Sequence, residues 1–436
     1  MRLAMLWNAS YFVGGLVITL SILIFVHELG HFLAAKGSGV RVERFSIGFG
    51  PKLIGFRHGH TEYVISAVPF GGYVRMAGED PSGPTTGAEW EFMSKDKKTR
   101  AFIVASGPLM NFALSVVILT MLAAFVGVET ITTRAIGRVE DGSPADSAGL
   151  RLGDEILGVG DRSVGNWDDI VEALEASLGK RVTLVFEHEG SVETTGIDLS
   201  GIDSFDAIGI EVLREPVVGD VAWRGPAYIA GIRSGDRIIE VDGHPILTWS
   251  DLRQAVLPHP GDTLEIVWQR QGVTMSSKVV PKDANGYGLI EITPLIERHR
   301  VGSLRAFRLG FSMTIWAAKQ IKHVTRFFAG LFSHDRTADV VGGPIRIGEV
   351  AGDALRWGLS NFLWFIALIS AQLSIVNLIP IPVLDGGHIL LLGIETVSRR
   401  PVTTRQRLIA HQIGFAFLLA FMLLVTFHDI LRVAGR

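Results

Sequence analysis

The chain contains no cysteine. Disulfide frameworks, thiolate nucleophiles and cysteine-ligated zinc are therefore excluded, although this absence does not identify the compartment. Charge is also scarce. Asp, Glu, Lys and Arg make up 19% of the 436 residues, against about 25% in ordinary soluble domains. Neither sign is in excess: 41 Lys and Arg face 44 Asp and Glu, a formal charge of −3. A nucleic-acid binder usually carries a clear basic excess, so that class gains no support. Hydrophobic residues account for 48%, and the mean hydropathy is +0.34. This is too apolar for a wholly soluble chain and too charged for a wholly buried one. Membrane spans plus a water-exposed part are expected, in a chain about three domains long.

Four stretches lack Asp, Glu, Lys and Arg: Leu3 to Val26, Ala101 to Val128, Trp357 to Leu384 and Leu408 to His428. A hydrocarbon core of about 30 Å needs about 20 helical residues, so each can cross. The first runs into His27-Glu28 instead of a small-residue cleavage site and reads as a retained span. A further helical pattern, Leu304 to Leu331, is interrupted by Arg308, Lys319, Lys322 and Arg326. It is expected at the membrane interface; a soluble amphipathic helix is the alternative. The connection Lys36 to Arg100 holds ten Lys and Arg, and the one after the third span holds Arg399, Arg400, Arg405 and Arg407. By the positive-inside rule both face the cytoplasm, with both termini and the large 129–356 region outside.

That region contains a repeat at a constant offset of 82. Twelve of 32 positions are identical between the stretches starting at Ser143 and Gly225, including Pro144/Pro226, Gly149/Gly231, Asp154/Asp236 and Trp167/Trp249. Each copy reads as a short helix stopped by Gly, a Gly-Asp turn, an apolar strand, a helix near the Trp and a closing strand, Arg181 to Phe186 or Thr263 to Gln269. The copies resemble tandem PDZ domains, over 132–214 and 215–296. Such domains accept extended peptides at a sheet edge; here they could equally act as bulk, because no carboxylate-binding loop is legible before either copy.

At the end of the first apolar stretch stands His27-Glu28-Leu29-Gly30-His31, an H-E-x-x-H pattern. Residues i and i+4 share a helix face, so both imidazoles can bind one metal, with the Glu placed to take a proton from water. Ionisable groups at membrane depth need a partner or a function; solvation at the interface is the alternative but leaves the spacing unexplained. Zinc needs a third protein ligand and an open position. With no Cys, that ligand is His, Asp or Glu. The best candidate is Asp385, in Asn377-Leu-Ile-Pro-Ile-Pro-Val-Leu-Asp385-Gly-Gly, where Pro380 and Pro382 break the helix. A carboxylate that only caps a helix is the competing reading.

Together, H-E-x-x-H in the first span, N-x-x-P-x-P-x-L-D-G in the third, and PDZ domains between them resemble the site-2 protease family of intramembrane metalloproteases, in its bacterial tandem-PDZ form. The likeness extends to Phe45 to Gly50, Gly71 to Val74, and the G-P-x-x-N pattern of Gly107, Pro108 and Asn111. It implies that His27, His31 and Asp385 bind zinc (Zn2+), that Glu28 is the catalytic base, and that Asn377 hydrogen-bonds the substrate backbone. It implies single-span membrane substrates, such as an anti-sigma factor or signal-peptide remnants, whose external domain has first been removed, with the PDZ pair as a size filter.

The expected fold is a polytopic α-helical membrane protein with four transmembrane helices and two small α+β PDZ-like domains inserted between the second and third spans. Its parts are 1–36 (first helix), 37–100 (a cytoplasmic-side β-hairpin region), 101–128, the two PDZ domains, 302–333 (interfacial helix), 357–384, 385–407 (cytoplasmic connection) and 408–428. Within 37–100, Arg44 to Arg75 alternates apolar and polar residues with many glycines, and Thr61 to Val68 reads as a strand; a hairpin is expected to dip toward the active site and offer an edge to an unwound substrate, with a plain cytoplasmic loop as the alternative. The expected location is the bacterial inner membrane, with the active site near its cytoplasmic face. Two other functions compete. An ion-coupled transporter predicts inverted repeats among the spans, and none is found. A catalytically inactive PDZ scaffold predicts a protein that binds peptides without zinc.

Overall fold

The structure, a computed structural model, describes residues 2–79, 86–129, 131–284, 286–320, 343–400 and 402–434. The chain divides into two units: Met1–Gly127 with Arg300–Arg436, and Val128–His299. By length and composition, four helical segments among the described residues can cross a membrane: Ser10–Gly37, Lys97–Val126, Leu359–Val376 and Thr404–Leu431.

The first unit begins with helix α1 (Arg2–Gly37), followed by strands β1 (Val42–His58) and β2 (Thr61–Met76) and helix α2 (Lys97–Met121). Asp96 caps α2 by accepting from the Thr99 N–H. The sheet is more than the simple hairpin expected over Arg44 to Arg75. Arg44 pairs with both Glu62 and Arg75, and Ile47 with both Ile65 and Gly72. Bends in both strands thus fold the hairpin into four short strands, ordered 52–58, 61–66, 42–47, 72–76. The outer edge of 72–76 has no strand partner among the described residues, and its Met76 N–H donates to the Glu79 carboxylate at 3.1 Å.

In the second unit the repeats fold into matching α+β modules. The first has β3 (Ile136–Val139), β4 (Glu155–Val159), α3 (Trp167–Glu175), β5 (Arg181–His188), β6 (Ser191–Asp198) and β7 (Ile210–Val212). The second has β8 (Val218–Val221), β9 (Arg237–Val241), α4 (Trp249–Val256), β10 (Leu264–Arg270), β11 (Val273–Val279) and β12 (Ile292–Pro294). Each closes by pairing its first strand with its last, β3 with β7 and β8 with β12. Asn166 and Thr248 cap the two helices at equivalent positions. Fully buried aliphatics such as Ile156 and Leu184, or Ile238 and Ile266, fill each core. Buried Asp154 accepts from the Arg151 N–H and pairs with His188 at 2.5 Å. Its counterpart Asp236 accepts from the Arg233 N–H and from Arg270, the residue 82 positions beyond His188.

The chain then returns to the first unit as α5 (Ser303–Lys319), α6 (Pro344–Arg356), α7 (Leu359–Val376), α8 (Asp385–Ser398) and α9 (Thr404–Ala434). Helix α5 covers the start of the expected interfacial helix; 321–333 lies outside the described residues. Its Ala306, Gly310, Thr314, Ala317 and Ala318 are buried, with Thr314 Oγ1 3.1 Å from Ser115 Oγ on α2, while Phe307, Phe311 and Trp316 remain exposed. The connection expected over 385–407 contains α8.

Small residues set the closeness of this packing. A Cβ on Gly30 of α1 would lie 2.2 Å from the Ser106 carbonyl of α2, and one on Gly15 would lie 2.8 Å from Ala351 of α6. Apolar lipid gives no hydrophobic drive to helix association, so close backbone contact carries the load. Between these helices Leu23, Leu119, Phe362 and Ile366 form a compact core.

Candidate metal centre

Four separate pieces of chain build the site. Helix α1 presents His27, Glu28 and His31 on its last turns. Helix α2 packs so tightly here that a Cβ on Gly107 would meet His31 Nε2 at 2.3 Å and His27 Cε1 at 2.8 Å. Only glycine leaves room for the two rings. Helix α7 ends at Val376 with Asn377 as its C-cap, and the two prolines then force a tight return. The Gly386 N–H donates back to the Asn377 carbonyl at 2.7 Å, and a Cβ at Gly386 would sit 2.2 Å from the Leu378 carbonyl. This fold-back delivers Asp385, the first residue of α8, to the histidines.

His27 Nε2 lies 3.1 Å from Asp385 Oδ2, His31 Nε2 lies 3.5 Å from Asp385 Oδ1, and the two Nε2 atoms are 3.2 Å apart. All three side chains are nearly buried, at 12%, 12% and 18% exposure. Bonds of about 2.0–2.1 Å arranged tetrahedrally place ligand atoms about 3.3–3.4 Å apart. The donor set therefore fits a zinc ion in identity and spacing, and these are the residues that could hold one. His31 Nδ1 donates to the Ile103 carbonyl at 2.9 Å, which leaves its Nε2 lone pair facing the cluster. His27 Nδ1 lies 3.3 Å from the amide nitrogens of both Asn111 and Asn377.

Glu28 points to the sheet side of the cluster. The Val74 N–H faces its carboxylate, and a Cβ on Gly72 would lie 3.3 Å from Glu28 Cγ. The 72–76 edge thus borders the site. Histidines, Glu28, Asp385, Asn377 and Tyr73 share a cavity of 650 Å³.

All five residues singled out in the sequence come together, although 350 positions separate His27 from Asn377. Sequence reasoning missed Arg100, Arg407 and His411 of the cavity wall, and Glu395, which pairs with the two arginines. Buried Glu395 of α8 binds Arg100 of α2 and Arg407 of α9, and the Lys97 ammonium donates to its carbonyl. His411 of α9 donates through Nδ1 to the Pro382 carbonyl at 2.9 Å. Its signal in the sequence was a His near the start of the fourth apolar stretch. Asn111 was visible as part of a motif, without a role.

Known proteins resemble this chain over nearly its whole length. A model of peptidase family M50 matches residues 15–421. The chain is 34% identical to the regulator of sigma-E protease RseP of Salmonella typhimurium, over 99% of this chain and 100% of that one. It is 31% identical to a Neisseria meningitidis protein whose name includes "zinc metalloprotease", over 96% of this chain and 98% of that one. Among solved structures, the PDZ domain of an SdrC-like protein from Listeria monocytogenes aligns with 19% of this chain and 93% of its own, at 20% identity and a TM-score of 0.17. Neither the transporter nor the inactive scaffold is favoured by these matches. The chain belongs to peptidase family M50, the site-2 proteases, and is an integral membrane zinc metalloprotease of the kind that carries out regulated intramembrane proteolysis.

Proposed function

We propose that His27, His31 and Asp385 are the zinc ligands, that Glu28 is the catalytic base, and that Asn377 binds the substrate backbone. The observation that carries this reading is the meeting of the two imidazoles and the distant carboxylate beside Glu28. When bound, zinc supplies Lewis acidity that activates water and polarises a carbonyl. The protein's own groups do the rest. Glu28 takes the proton from the attacking water and hands it to the leaving amine. The 72–76 edge receives the substrate as an added strand. A helical peptide bond is shielded by its own hydrogen bonds, so pairing with this edge keeps the substrate unwound while Asn377 holds it from another side.

In this reading the four apolar helices are spans of the bacterial inner membrane. The repeat modules, read as PDZ domains, and both termini lie outside, and the site lies near the cytoplasmic face. The substrates are single-span membrane proteins already trimmed outside, an anti-sigma factor or signal-peptide remnants among them, and the PDZ pair screens out untrimmed ones. The relative named for regulation of sigma-E supports this substrate class.

The test pairs wild type with Glu28→Gln in membranes containing a trimmed single-span substrate. Zinc content is expected to stay and cleavage to vanish in the variant. Equal cleavage by both proteins removes Glu28 as the base.

A further inference from the structure

Two side-chain amides compete for one imidazole nitrogen. Asn111 and Asn377 each bring an amide nitrogen to 3.3 Å from His27 Nδ1. With the lone pair of Nε2 directed at a metal, Nδ1 carries the ring's hydrogen and donates a single bond. It cannot accept from an amide N–H. One amide must turn its oxygen to Nδ1, a half-turn that exchanges oxygen and nitrogen.

Burial decides which. Asn111 is 0% exposed, and its Oδ1 has no hydrogen-bond partner among the described residues. A buried amide oxygen without a donor is costly, whereas Nδ1–H supplies one. Its backbone is fixed by the Ser370 hydroxyl, which donates to the Asn111 carbonyl at 2.7 Å. Asn377, by contrast, is partly exposed and lines the cavity. We propose that Asn111 Oδ1 accepts the Nδ1–H of His27, fixing the tautomer that offers Nε2 to zinc, and leaves the Asn377 amide free for substrate.

Asn111 is then a positioning residue. One helix orients both rings: the Ile103 carbonyl holds His31, and Asn111, eight residues further along α2, holds His27. Gly107 lies midway, where the rings need space. The Gly107, Pro108, Asn111 pattern thereby gains a physical role that proton transfer alone does not give it. The inference rests on the proposed assignment of His27 as a ligand.

The experiment measures zinc affinity by chelator competition on the purified full chain, with no substrate present. Asn111→Leu is expected to weaken zinc binding about 10- to 100-fold, as loss of a ligand's outer partner does. Asn111→Asp, which accepts but cannot donate, is expected to hold zinc like wild type. Asn377→Leu is expected to keep zinc and lose cleavage. Wild-type affinity in Asn111→Leu, with weakened affinity in His27→Ala, overturns this proposal and leaves the ligand assignment standing. Wild-type affinity in His27→Ala overturns the assignment itself. Should Asn111→Leu fail to fold, Asn111→Asp alone decides: weakened binding there makes Asn111 a donor and refutes the proposal.

Discussion

Replacing Gly107 by alanine adds one methyl group to α2, and its effect can be worked out from the geometry. In a helix interior the exchange ordinarily stabilises by about 0.5–1 kcal/mol, because glycine loses more backbone freedom on folding. Here the new Cβ would stand 2.3 Å from His31 Nε2, more than 1 Å inside the 3.4 Å at which ordinary contact begins, and 2.8 Å from His27 Cε1. Overpacking of this size costs about 1–3 kcal/mol, so the sign reverses and the variant is expected to be destabilised. Function should suffer more than stability. The imidazoles must move by about the width of the clash, and a misplacement near 1 Å can lower a rate about 100-fold. The two Nε2 atoms are 3.2 Å apart, which leaves little slack for the proposed ligation of one ion. Zinc content by elemental analysis and cleavage of a trimmed single-span substrate in membranes are the assays. Gly393→Ala on α8 is the control, since among the described residues no atom beyond its own stretch of helix lies within 4 Å of the added Cβ, and it should leave both readouts intact. A Gly107→Ala protein with full zinc and full activity would falsify the claim that this glycine exists to admit the rings.

Further perturbations test other parts of the same reasoning. Asp385→Ala should lower zinc occupancy, and unchanged occupancy would point to a different third ligand. Glu395→Gln removes the carboxylate shared by Arg100 and Arg407, whose side chains are 9% and 21% exposed. Breaking such a buried pair costs about 3–5 kcal/mol, so the melting temperature of the purified chain should fall clearly; an unchanged value would show that the cluster is not holding α2, α8 and α9 together. In the first repeat module, the hydrogen bond to Asp154 raises the pKa of His188 above its ordinary 6.5. Its stabilisation is complete below the unfolded value and is lost as pH rises through the higher folded value. His188→Arg, copying the Arg270–Asp236 pair of the second module, should therefore flatten the stability profile of that module above neutral pH. Identical profiles in hydrogen exchange would refute this.

Much of the site was legible because its chemistry is local in sequence. Two imidazoles four apart on a helix are a complete statement about one face, and paired prolines after an apolar run are a complete statement about a break. What could not be read was anything that depends on a third body. Glu395 looks like an ordinary exposed charge in a connecting segment; only the packing of α8 between α2 and α9 buries it. The double pairing of Arg44 with Glu62 and Arg75 cannot be deduced from alternation, because bends let one strand meet two partners. In the repeats, the strands nearest the shared motif were found. The strands expected to close each copy are followed by further ones, β6 and β7 or β11 and β12, and the opening strands β3 and β8 were not read either; β7 and β12 hold only three residues each and their partners lie some 70 positions upstream. The amphipathic reading of 304–331 identified an apolar face, yet the buried side of α5 is its small-residue stripe, with the aromatics left exposed.

That last contrast separates two ways of holding a fold together within one chain. The repeat modules are stabilised by removing large aliphatic groups from water, so the damaging change there is a deletion. Ile156→Ala, at a fully buried position, should cost about 2–5 kcal/mol. In the membrane unit the surroundings are themselves apolar, and deleting a lipid-facing side chain such as Val117, which is 53% exposed, forfeits little. The damaging change is an addition at a helix contact. Gly30→Ala would drive a methyl group to 2.2 Å from the Ser106 carbonyl, separating α1 from α2 one residue before His31. If the reasoning is right, the order of harm inverts between the units: Ile156→Ala lowers the melting temperature and spares zinc, while Gly30→Ala costs zinc and Val117→Ala costs neither. A Gly30→Ala variant that keeps its zinc would mean that the helices approach with room to spare, and the account of how the histidines are held would have to be abandoned.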